Sequence, residues 1–197
     1  MPLYAMKNSF KLCTKIKEKP ENTGFYEDFK IMIRVLFICH GNICRSQMCE
    51  FMLKDKVEKM GIKDSFLIAS AATSREEIWG DVGNPVYPPA KKELKAHGIG
   101  STPYTDFSGK RAVQVTREDY DKYDYILCAD SNNVRNTTRI TGGDPEGKIK
   151  LLLDYTDRSG DSIADPWYTG DFAVTYSDIV EGLDGFINYL QQNELVR

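Results

Sequence analysis

The stretch from Ile31 to Ile38 constrains this chain most: it is almost wholly apolar, rich in branched residues, and carries one charge, Arg34. A run of that kind reads as a strand covered on both faces, hence a central strand of a parallel sheet. It runs into Cys39, His40, Gly41, Asn42, Ile43, Cys44, Arg45 and Ser46. After these, Met48, Phe51 and Met52 recur at helical spacing among Gln47, Glu50, Lys54 and Asp55. Buried strand, tight loop and helix therefore follow one another directly.

The rest of the chain repeats that alternation. Phe66–Ala69, Tyr123–Ala129 and Ile149–Leu153 read as further strands. Pro88-Pro89 opens a helix that runs to His97 and stops at Gly98, and Thr116 with Asp119 resembles an N-terminal cap. In the last helix Tyr176, Ile179, Val180, Leu183, Phe186, Ile187 and Leu190 share one face. Strands alternating with helices predict an α/β fold: one domain, a four-stranded parallel sheet, helices on both faces. Ligands then bind beyond the carboxyl ends of the strands, in the loops after Ile38, Ala69 and Leu153. Residues 1–30, with Lys7, Lys11, Lys15, Lys17 and Lys19, are expected to form a poorly ordered extension, and 31–197 the catalytic domain.

Composition narrows the function. A formal charge of -3 leaves no basic excess for nucleic acid, and no apolar run reaches the ~18–20 residues of a membrane span. The five cysteines are odd in number, and three crowd between Cys39 and Cys49. With no secretory segment before them, they read as reduced thiols in a cytoplasmic protein. Cys39, His40, Cys44 and Cys49 lack the paired spacing of a zinc site, so no metal and no cofactor is expected.

The segment Cys39–Ser46 carries the chemistry. A bare C-x5-R spacing is weak, but here the cysteine ends a buried strand, Gly41 permits a tight turn and Arg45 opens a helix. Together these describe a cradle of backbone N–H groups for an anion, formed by His40 to Ser46. The helix dipole, the N–H groups and Arg45 all stabilise negative charge on the sulfur, which makes Cys39 the nucleophile. Arg45 grips two phosphoryl oxygens with a planar fork, and Ser46 donates to the departing sulfur. A tyrosyl leaving group, with a pKa near ~10, calls for a carboxylic acid to protonate it. Asp165, followed by Pro166, Trp167 and Tyr168 ahead of the last helix, is the candidate.

These motifs, in this order from about Met32 to Leu190, resemble the low molecular weight protein tyrosine phosphatase family. The resemblance implies hydrolysis of phosphotyrosine in a protein or peptide, with inorganic phosphate as product. It also implies that Ser70 and His97 help Ser46 to fix Asn42, and that Cys44 acts as a redox partner of Cys39. Gln114 to Asn132 is similar as well. His40 departs from the apolar residue many relatives carry, Trp167 replaces a tyrosine, and Thr73–Gly83 is longer than in the mammalian pattern. Trp79 is expected to line the cleft beside Trp167 and Tyr168. Arsenate-reducing relatives need two further cysteines, whereas only Cys128 follows Cys49, and relatives that act on phosphoarginine carry threonine at the position of Ile43.

Overall fold

The computed structural model describes residues 32–196, so the proposed extension 1–30 lies outside the described residues. Six strands and six helices follow in order: β1 Ile33–Cys39, α1 Arg45–Lys59, β2 Phe66–Ala72, β3 Ile78–Trp79, β4 Val82–Gly83 and α2 Pro88–Ala96. Then come α3 Asp119–Lys122, β5 Tyr125–Cys128, α4 Ser131–Thr141, β6 Ile149–Leu151, α5 Pro166–Thr169 and α6 Phe172–Gln192. The main sheet has the order β2-β1-β5-β6 with every pair parallel, as the alternating pattern predicts.

The sheet builds two cores because strand side chains alternate in direction. Val35, Phe37 and Cys39 of β1 pack with α1, α2 and α6, while Leu36 and Ile38 pack on the opposite side with Tyr120, Ile126 and Ile149. Phe37 and Phe186 are 1% and 0% exposed, and full burial of such side chains is worth ~1.5–3 kcal/mol each. Gly182 and Gly185 let α6 lie against residues 152–155. A Cβ at Gly185 would sit 2.3 Å from the Tyr155 carbonyl oxygen, so the helix accepts two poor helix formers in exchange for close approach.

Three boundaries differ from expectation. β2 continues to Ala72 because the Ala72 N–H donates to the Val113 carbonyl at 2.7 Å and the Ala72 carbonyl accepts from the Val115 N–H at 2.9 Å. The third strand begins at Tyr125, since Tyr123 closes α3, and the fourth ends at Leu151 before a 3-10 turn. On α6, Val180 is 37% exposed: the predicted apolar face is wider than the buried one. Within Thr73–Gly83 the chain makes a short antiparallel hairpin, β3–β4.

Candidate active site

The chain leaves β1 for β2 on one side and later returns to β5 on the other, so a crevice opens at the carboxyl end of β1. Register brings the parts together. Ile38 pairs with Cys128, which sets Cys39 beside Ala129 and places Asp130, the N-cap of α4, next to the loop. Cys39 ends its strand almost fully buried, and Arg45 begins α1 at 4% exposure.

Asn42 adopts φ +54, a left-handed conformation that costs an L-residue about 1–2 kcal/mol. Its side chain offsets that cost. The amide nitrogen donates to Ser46 Oγ at 2.9 Å and to Ser70 Oγ at 2.8 Å, and its oxygen accepts from the Val113 N–H at 3.1 Å. Ser70 Oγ in turn donates to Glu50 Oε2 at 2.6 Å. Glu50, 3% exposed, lies between Lys54 at 2.6 Å and Lys110 at 2.5 Å. This sequence of bonds has one direction. The Ser70 hydroxyl donates to the Glu50 carboxylate, so its oxygen accepts from Asn42. Ser46 also accepts from Asn42, which leaves its hydroxyl proton for Cys39 Sγ, 3.0 Å away. The Asn42 N–H adds a second donor to the sulfur at 3.3 Å.

His97 has no place in this arrangement, contrary to expectation. It caps α2, stacks on Tyr176 with ring centroids 3.7 Å apart, and its Nε2 meets Glu93 at 3.2 Å. The third partner of Asn42 is the Val113 N–H, and Lys110 supports the network from behind by reaching both Glu50 and the Ser70 carbonyl. Glu50 and Lys110 were not anticipated. Glu50 stands four residues after Ser46 on the same helix face, a spacing that could have pointed to it.

Arg45 is held by two carboxylates: Nη1 donates to Asp130 Oδ2 at 2.8 Å and Nη2 to Asp165 Oδ2 at 2.6 Å. Burial works against its charge, but Cys39, Asp165 and Asp130 outweigh burial and raise its pKa further. Asp165 caps the short helix α5, its other oxygen accepting from the Trp167 N–H at 3.0 Å, so its position is set from two directions. Cys44 is the second thiol of the loop. Burial first, then the charges of Cys39 and Asp165, push its thiol up to about 12, so at neutral pH it keeps its proton.

A cleft of about 270 Å³ opens over these groups. Cys39, Ile43 and Arg45 form its floor, Asp165, Trp167 and Tyr168 one wall, and His40, Glu76 and Glu77 the other. Gly41 is needed here, since a Cβ on it would stand 2.9 Å from Glu77 Cγ. Trp167 leans on Tyr87 at 5.8 Å, and the Tyr87 N–H donates to the Ile43 carbonyl at 2.9 Å. Trp79 is not part of the cleft: it ends β3 at 72% exposure beside the turn at Gly80, and Glu76 and Glu77 take the place expected of it.

Residues 34–195 match the model of the family described as low molecular weight phosphotyrosine protein phosphatase. The low molecular weight protein-tyrosine-phosphatase YfkJ of Bacillus subtilis is 34% identical over 164 residues, 83% of this chain and 99% of that protein. The low molecular weight phosphotyrosine protein phosphatase of Rattus norvegicus is 36% identical over 157 residues, 78% of this chain and 92% of that one. The crystal structure of YfkJ superimposes with a TM-score of 0.70 at 33% identity, over 82% of this chain and 96% of that one. With the match spanning the whole sheet and the crevice at its carboxyl edge, the chain belongs to the low molecular weight phosphotyrosine protein phosphatases and hydrolyses phosphotyrosine monoesters through a cysteinyl-phosphate intermediate.

Proposed function

We propose that Cys39 is the nucleophile, Arg45 the phosphate clamp and Asp165 the general acid and base of this reaction. Substrate phosphate settles on the loop from His40 to Ser46, where backbone N–H groups at the start of α1 and the Arg45 fork share its charge. The sulfur attacks phosphorus in line. The bond from phosphorus to the tyrosyl oxygen breaks, and Asp165 gives that oxygen its proton. In the second half Asp165, now a carboxylate, takes a proton from water. The water oxygen bonds to phosphorus, and the electrons of the P–S bond return to sulfur. There the Asn42 N–H and Ser46 hydroxyl stabilise the charge, and inorganic phosphate leaves.

The observation that carries this assignment is that two donors aim at the Cys39 sulfur while Arg45 and Asp165 line the same cleft. Bound phosphate takes the Arg45 nitrogen that otherwise holds Asp165, which frees Asp165 to carry the proton. The aromatic wall of Trp167 and Tyr168 favours a flat phenolic substrate. A phosphotyrosine peptide should therefore be dephosphorylated readily and its phosphoserine counterpart far more slowly. Equal rates on both would contradict the reading. A reducing cytoplasm suits a free-thiol enzyme, and Cys39, Cys44, Cys49 and Cys128 are free thiols. Among the described residues no helix is long and apolar enough to cross a membrane.

Cys44 is assigned a protective role. Peroxide oxidises Cys39 to a sulfenic acid; the Cys44 sulfur attacks it, an S–S bond forms and water departs. Because burial keeps Cys44 protonated, this closure should be slower than attack by an exposed low-pKa thiol. After a peroxide pulse, native enzyme should regain activity with a thiol reductant and Cys44→Ser should regain less. Equal recovery removes the role.

A further inference from the structure

We propose that the cleft wall formed by His40, Glu76 and Glu77 selects phosphotyrosine flanked by basic residues. This rests on the reading of the cleft as a phosphotyrosine site and goes on to the sequence around the phosphotyrosine. Among the described residues lining the cleft, Arg45 is the only lysine or arginine, and both of its terminal nitrogens are engaged by carboxylates, Asp130 and Asp165. Above the floor the charges are Asp165, Glu76 and Glu77, with His40 beside them.

The wall is held in place. His40 Nε2 meets Glu76 Oε2 at 2.9 Å, the Ser74 N–H donates to the His40 carbonyl at 2.9 Å, and the Glu76 N–H donates to Ser74 Oγ at 3.1 Å. Glu77 Oε2 accepts from Asn84 Nδ2 at 2.6 Å while its Cγ covers Gly41. These contacts tie both carboxylates to residues of the phosphate loop. With the phosphate bound to that loop and the phenyl ring against Trp167, the peptide backbone leaves the cleft at its rim, where the Glu76 side chain is 72% exposed. A lysine or arginine next to the phosphotyrosine gains an ion pair there, and a glutamate meets like charge.

The test uses two peptides alike except that phosphotyrosine is flanked by lysines in one and glutamates in the other. A small aryl phosphate serves as reference for each enzyme. Exposed ion pairs are individually weak, so native enzyme should favour the lysine peptide by roughly 3- to 10-fold in kcat/KM at low salt, and by less at high salt. In Glu76→Gln the ratio should fall towards one, and Glu76→Lys should invert it, which loss of a merely structural contact would not do. A native ratio near one, or a ratio unmoved in both variants, overturns the proposal while leaving the phosphatase reading intact. Failure of native enzyme on all three substrates overturns that reading, and the proposal with it.

Discussion

Replacing Cys39 by serine is expected to reduce turnover of an aryl phosphate to background while the protein stays folded and still binds phosphate. The sulfur sits at the end of β1 with two hydrogen-bond donors at 3.0 and 3.3 Å, positions that stabilise an anion there. A serine hydroxyl in the same place loses its proton far less readily and is a much weaker nucleophile than a thiolate. The oxygen is smaller than sulfur and opens no clash, so stability should change little. Retention of more than a trace of activity, with Cys39→Ser shown to be pure, would mean that another group attacks phosphorus.

Asp165→Asn should lower kcat on phosphotyrosine by a factor on the order of 10² to 10⁴, the usual range for loss of a positioned proton donor. Asparagine keeps one oxygen, which can cap α5 through the Trp167 N–H or accept from Arg45 but not both, so the substitution removes the proton while keeping the size and one of the two contacts. The loss should shrink as the leaving group becomes more acidic, because a better leaving group needs less help. An equal loss across a series of leaving groups would reduce Asp165 to a residue that only positions Arg45.

Much of this site was legible because its parts are local. The apolar run before Cys39, Gly41 and the helical spacing after Arg45 define strand, loop and helix within about twenty residues, and the structure follows them closely. Asn42, Ser46 and Ser70 also meet as the resemblance implies. What failed depends on packing between distant segments. His97 ends a helix that faces α6, and its neighbour there, Tyr176, comes from a different part of the chain. Lys110, which does reach Glu50, lies in an irregular connection with no periodicity to betray its direction. Asp130 caps α4, but its grip on Arg45 follows from the register of β1 with β5, which no local pattern encodes. Trp79 shows that an aromatic residue near a cleft need not line it when a two-residue strand ends there.

Passage of phosphate through Cys39 is tested by mixing enzyme with a radiolabelled aryl phosphate, quenching with acid within the first turnover and locating the label by peptide mapping. Up to one phosphoryl group per enzyme is expected on the peptide that contains Cys39, and none in Cys39→Ser. Label on any other residue, or full product release with none bound at any time, would contradict it.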